Sequence, residues 1–368
     1  MRRSRCGDPL ADRGADALAA RSRRGHAGGC RFRRARSAGP PCRECPVRVL
    51  VTGNLGYIGP VLAKALTQAG HEVHGYDSAL FASFATHSLP VVAHQAFADL
   101  RDTKALRRAV AQCDAVILLA AMSNDPLGEL DAELTREVNL DATVRAIELA
   151  GDRPLVVYSS ASVYGVSAAM CGEDAPLRPL TLYSELKVAV EDVALRRANA
   201  LVLRNGTVHG PAPVLRGDLL LNAMVASAVA TGEIVLTTTP ATSRPVIDVR
   251  DLAALTVGLL ERGVTGLYNS AARNISVGEA ADLVARVTAA GIVEQHHGSD
   301  PRDYAMDTSK LSRMVGSWWH PRPLEASVDD LIAHYRESRL SAGDVVTRRY
   351  HRIVQYRLRA SREAASAK

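Results

Sequence analysis

The sequence predicts an α/β fold: a doubly wound parallel sheet with helices on both faces and a smaller C-terminal lobe. Three observations predict it. Short apolar runs rich in β-branched residues alternate with stretches of helical spacing from residue 47 to about residue 204. Strands that are apolar on both sides belong to sheets covered on both faces, and such sheets are parallel. A glycine-rich turn follows the first apolar run and opens the first helix, and the residues able to do chemistry fall at the carboxyl ends of strands, where these sheets bind their ligands.

The elements follow in order. Residues 47–51 form the first strand, ended by Thr52-Gly53, and residues 61–69 show helical spacing up to Gly70. Residues 72–76 form a second strand, ended by Asp77; residues 115–119 form another, followed by a long helical segment over 130–150. Residues 155–158 and 200–203 are strands flanking a helix at 183–197. The expected organisation is an extension over 1–46, a core over 47–204, a further segment over 205–338, and a basic tail over 339–368.

Charge is divided along the same lines. The net +6 of the 368 residues comes from the ends: residues 1–46 carry +8, residues 339–368 carry +6, and the body between them carries −8. An acidic body argues against a nucleic-acid-binding fold. No long apolar stretch spans a membrane, and the N-terminus lacks the apolar core of a secretory signal. Only Cys113 and Cys171 lie in the body, which suits a reducing cytoplasm. Residues 1–46 hold too few large apolar side chains to offset the entropy of ordering them, and read as a disordered extension or a misassigned start, with translation beginning near Val47. A transit peptide is the other option, since the segment is rich in Arg and poor in acids. Cys42 and Cys45 form one CxxC with Cys30 nearby, but structural zinc takes two close ligand pairs, so no metal is expected. Tyr350, Ile353, Val354, Tyr356 and Leu358 lie among arginines, a pattern read as a solvated amphipathic tail rather than a membrane or partner site.

Gly53-Asn54-Leu55-Gly56-Tyr57-Ile58-Gly59 reads GxxGxxG between strand and helix. Glycine is needed where the chain turns with positive φ and where backbone approaches a pyrophosphate, and a helix N-terminus offers free N–H groups to the anion. Asp77 closes the second strand 18 residues beyond Gly59. A carboxylate there accepts hydrogen bonds from adenosine ribose hydroxyls and repels a 2′-phosphate, so the expected cofactor is NAD rather than NADP. Tyr183 and Lys187 form YxxxK near the start of a helix, on one face by their i, i+4 spacing. An ammonium beside a phenol favours the phenolate, and Tyr183 can then take a proton from a substrate hydroxyl as hydride leaves the same carbon.

The GxxGxxG spacing with a downstream YxxxK resembles the extended short-chain dehydrogenase/reductase superfamily, of Rossmann type, and within it the NAD-dependent epimerase/dehydratase family. The resemblance runs from about Val47 to Tyr335. It implies that Asp99 and Leu100 face the adenine, that Leu119-Ala120-Ala121 pass the nicotinamide ribose, and that Ser160 is the third catalytic residue, 23 positions before Tyr183. Dehydratases carry an Asp-Glu pair where this chain has Ala161-Ser162, so elimination is disfavoured, and SSASVYG is similar to the 4-epimerase segment SSATVYG. The resemblance further implies that the segment over 205–338 is a substrate-binding lobe interleaved with late core elements. In it Thr207, Asn222, Arg244 and Arg302 are implied to bind a nucleotide-diphosphate sugar, the two arginines clamping its diphosphate. Thr207, His209 and Asp248 depart from the family's Asn, Tyr and His, which puts the sugar or base preference in doubt. Ser123 and Asn124 follow the 115–119 strand, where they line the sugar pocket or cap a loop, and Asn139 matches a helix that packs under the Tyr. The expected activity is 4-epimerisation by a cytoplasmic homodimer; the alternatives are a 4-keto-sugar reductase and a non-catalytic NAD-binding regulator.

Overall fold

The alternating apolar runs resolve into one seven-stranded parallel sheet in a computed structural model, which describes residues 46–123, 125–295 and 302–366. The first six strands come in chain order: β1 (Arg48–Thr52), β2 (Glu72–Asp77), β3 (His94–Phe97), β4 (Ala115–Leu118), β5 (Leu155–Ser160) and β6 (Ala200–Asn205). The chain then builds β7 (Thr207–His209), β8 (Glu233–Leu236) and β9 (Ser243–Asp248) in a lobe, and returns to the sheet with β10 (Gly266–Ser270). Strands β11 (Arg273–Ser276) and β12 (Gly291–Glu294) belong to the lobe again. The sheet order β10-β6-β5-β4-β1-β2-β3 reverses direction at β1, which opens a crevice between the carboxyl ends of β1 and β4.

Helices cover both faces. They are α1 (Gly59–Gln68), α2 (Thr103–Ala111), α3 (Asp125–Leu130), α4 (Ala132–Arg136), α5 (Thr143–Ala150), α6 (Leu182–Leu195), α7 (Leu220–Thr231), α8 (Val249–Glu261), α9 (Val277–Thr288), α10 (Ser309–Val315), α11 (Leu324–Glu337), α12 (Ala342–Val346) and α13 (Arg352–Ser366). Strand β1 shows why its run is continuously apolar. Val49 and Val51 pack with Leu62 and Leu66 of α1 and Leu252 of α8, whereas Leu50 packs with Leu106, Ile147 and Val190 of α2, α5 and α6. The lobe has its own core, in which Leu221, Val225, Ile234, Val284 and Leu331 are buried together.

Two expectations need correction. The helix expected over 130–150 is broken: a π-helical turn at Glu137–Ala142 joins α4 to α5. Within that turn the Asn139 side chain leaves the helix face to bond both the N–H and the carbonyl of Met122, at 2.7 and 3.0 Å. The basic tail is not wholly solvated either: Val346 and Leu358 are exposed, but other residues pack against the body. The Gly217 N–H donates to the Tyr350 carbonyl at 2.9 Å, Arg359 donates to the Ala79 carbonyl at 2.7 Å, and Arg352 and Gln355 are 2% and 0% exposed. Long-range packing of Val345 and Tyr350 on the lobe core decides this, and no local pattern carries it. Apart from Pro46, the extension over 1–46 with its cysteines lies outside the described residues, as does Asn124. Among the described residues no helix is long and apolar enough to cross a membrane.

Candidate active site

A cavity of about 1310 Å³ opens at the carboxyl ends of β1 to β6, between the sheet and the lobe. At its floor the β1–α1 turn is built for close backbone approach. Gly53 has φ +74, and a Cβ on Gly59 would stand 2.4 Å from the Gly53 carbonyl oxygen. Larger residues would fill this cradle, and the α1 N-terminus points its N–H groups at the same place, so the turn fits a dinucleotide pyrophosphate. Gly53, Gly56, Tyr57, Ile58 and Gly59 line the cavity. Asn54 turns away to donate to Gln95 Oε1 at 2.7 Å, and Leu55 contributes its N–H to Asp77 Oδ2 at 2.9 Å.

Asp77 also accepts from the Ala79 N–H at 2.7 Å, which fixes the carboxylate at the end of β2; burial pushes its pKa up against those two hydrogen bonds. Asp99 lines the next stretch of wall with Leu100 and Arg101. Arg101 grips both Asp99 oxygens at 3.0 and 2.9 Å and reaches Glu137 at 2.6 Å; the Arg101 hydrogen bond holds the Asp99 carboxyl below its usual range. Leu119, Ala120 and Ala121 complete this half, and the Asn139 bonds to Met122 hold the chain that follows them.

Tyr183, Lys187 and Ser160 border the same cavity. A capping box between Thr181 and Ser184 starts α6 and sets Tyr183 in its first turn. Lys187 Nζ lies 5.6 Å from the Tyr183 ring centre and donates to the Tyr158 carbonyl at 2.7 Å. Burial pulls the Lys187 pKa down to about 8, opposed by the nearby Glu191 charge. Glu191 is itself buried, held by Arg204 at 2.7 and 3.1 Å and by the Ser159 hydroxyl, so α6 is anchored to β5 and β6 directly behind Lys187. Ser160 Oγ accepts from the Ser162 N–H at 3.2 Å and from the Ser162 hydroxyl at 2.9 Å, which leaves its own proton to donate. In the sequence Ser162 stands out only as a missing acid, and no motif signals this role.

On the lobe side, Thr207, Ser123, Arg244 and Arg302 line the cavity. Arg244 donates to the Arg302 carbonyl and to the Ser243 carbonyl, the latter at 2.8 Å, which keeps the two arginines adjacent. Ser123 accepts from Arg216, a buried arginine on the cavity wall that no sequence motif signals, and Asp218 pairs with that arginine at 2.6 Å. Asn222, expected at the substrate, is turned inward: its amide donates to the Tyr57 hydroxyl at 3.0 Å and accepts from the Gly210 N–H at 3.1 Å. Two of the three departures also leave the cavity. Asp248 caps α8 through the Arg250 N–H and pairs with the Arg250 guanidinium at 2.7 Å. His209 is buried with both ring nitrogens unpartnered among the described residues, and loss of hydration lowers its pKa to about 4. Only Thr207 of the three lines the cavity.

A sequence profile described as NAD dependent epimerase/dehydratase family matches residues 49–272. The chain is 26% identical over 325 residues to the UDP-glucose 4-epimerase of Lactobacillus helveticus, spanning 78% of this chain and 95% of that one. It is also 26% identical over 324 residues to the dTDP-4-dehydro-6-deoxy-D-allose reductase of a Streptomyces species, spanning 78% and 96%. Among solved structures, the UDP-glucose 4-epimerase of Thermus thermophilus in complex with NAD aligns with a TM-score of 0.67 at 25% identity, covering 78% of this chain and 99% of that one.

Proposed function

The chain belongs to the NAD-dependent epimerase/dehydratase family, with NAD as cofactor, and on that premise we propose that it is a nucleotide-sugar 4-epimerase. The observation that carries this reading is the meeting of three parts in one cavity: the glycine cradle, the Tyr183–Lys187 pair with Ser160, and the Arg244–Arg302 wall. Gly53, Gly56 and Gly59, the α1 N-terminus, Asp77, Asp99 and residues 119–121 would hold the cofactor. Bound NAD supplies the hydride acceptor and, once reduced, the donor.

The chain's own residues position the sugar and move the proton. Arg244 and Arg302 bind the diphosphate, leaving the sugar beside Thr207 and Ser123. Ser160 donates to the sugar oxygen at C4, and Tyr183 takes the proton from the same oxygen. Lys187 remains charged at neutral pH and favours the Tyr183 phenolate. The 4-keto sugar then presents its other face and Tyr183 returns the proton. Ala161 and Ser162 hold no acid–base pair for water elimination. The reading keeps the reducing compartment that the cysteine content suggests and the homodimer that the family resemblance implies.

Purified protein incubated with UDP-, dTDP- and GDP-sugars without added cofactor should invert C4, read by NMR. Stoichiometric consumption of added NADH would instead establish a 4-keto-sugar reductase, the second reading, which the match to 96% of the Streptomyces reductase supports. No turnover in either assay would favour a non-catalytic role.

A further inference from the structure

Arg352 opens α13, lies on the cavity wall and is 2% exposed. Its guanidinium stacks on the Phe81 ring at 4.0 Å and donates from Nη1 to Gln355 Oε1 at 2.7 Å. Nε is buried and meets no acceptor among the described residues. The carboxylates around it are engaged elsewhere: Asp218 with both sides of the Arg216 guanidinium at 2.6 and 2.9 Å, Asp77 with the N–H groups of Leu55 and Ala79. Loss of hydration, with the Arg216 charge adding to it, lowers the Arg352 pKa to about 9. The Asp218 and Asp77 charges oppose that shift, but neither carboxylate bonds Arg352 directly among the described residues. A buried guanidinium with no ion pair of its own is costly and takes up an anion readily.

The surroundings say which anion. Helix α13 crosses from the loop after β2, where Arg359 holds the Ala79 carbonyl, to α3 after β4. Those two elements flank the β1 glycine cradle, the dinucleotide side of the cavity. We infer that the C-terminal segment closes over this side and that Arg352 binds a phosphate of the cofactor, so that NAD is held through repeated turnovers. The inference rests on the NAD site and deepens the epimerase reading, which needs a cofactor that stays bound between oxidation and reduction. It also gives the basic tail a purpose: positive charge that the acidic body lacks arrives from the end of the chain.

The test is titration calorimetry of the full-length chain, stripped of nucleotide, with NAD, ADP, adenosine and UDP. Arg352→Met should weaken NAD and ADP at least about tenfold, with adenosine and UDP unchanged, and Arg352→Lys should fall between. Without ligand, Arg352→Met should melt close to the parent, because the buried charge it removes has no direct ion pair. If that variant fails to fold, Arg352→Lys decides the question. Unchanged NAD and ADP affinities would overturn the inference. A loss confined to UDP would also overturn it and assign Arg352 to the substrate diphosphate; an equal loss for adenosine would show that it only shapes the pocket. The epimerase reading is judged separately by product stereochemistry, so tight NAD without C4 inversion would sink that reading alone.

Discussion

Lys187→Met keeps most of the side chain's length and removes its charge. With Nζ 5.6 Å from the Tyr183 ring centre, a unit charge at an effective dielectric constant near 20 stabilises a phenolate by roughly 3 kcal/mol. That corresponds to about two pKa units, so the variant's Tyr183 should ionise about two pH units higher than the parent's. At neutral pH the rate should fall about a hundredfold and return as pH rises, since the proton acceptor is recovered rather than destroyed. The parent's advantage should shrink above pH 8, because Lys187 itself loses its proton at about 8. The assay is kcat against pH for both proteins, with thermal melts to confirm that each stays folded across the range. A uniform loss with an unshifted profile would refute the electrostatic role and leave Lys187 as a packing residue that holds the Tyr158 carbonyl.

Three further predictions follow from the same structure. His209 stays neutral in the fold down to about pH 4 while the unfolded chain protonates near 6.5, so the unfolded state binds more protons between these values and stability falls as pH drops. His209→Leu should therefore lose roughly 3 kcal/mol less than the parent over that window, measured by urea unfolding at each pH. Glu191→Gln leaves the buried Arg204 without its partner and should cost about 3–5 kcal/mol, seen as a lower melting temperature. Asp77→Ser removes the carboxylate at the end of β2 and should move the ratio of NADP to NAD affinity up by about tenfold; an unchanged ratio in binding titrations would remove Asp77 from the ribose site.

Much of the site was legible because its parts are local. The glycine turn is a property of seven consecutive residues, and its demands on φ and Cβ can be read without knowing what lies opposite. The Tyr183–Lys187 pair shares a helix face by spacing alone. What could not be read depends on contacts between distant residues. Asn222 and His209 sit in motifs that resemble substrate-binding segments, yet Asn222 spends its amide on Tyr57 and Gly210, and His209 lies buried beside Asp248. Ser162 was overlooked because its effect passes through the hydroxyl of Ser160 and has no pattern of its own.

The sequence by itself determined the parallel sheet, the position of the dinucleotide turn and the Tyr183–Lys187 pair, because strand periodicity, glycine stereochemistry and helical spacing are all short-range. Tertiary structure alone decided that Arg216 and Arg352 join Arg244 and Arg302 at the cavity. A count of charges placed the basic residues at the chain's ends and the acidic ones in its body. Packing then carried α13 back across the cleft and buried Arg352 at the wall, a placement set by apolar contacts and hydrogen bonds between residues more than a hundred positions apart, such as Gly217 with Tyr350 and Ala79 with Arg359.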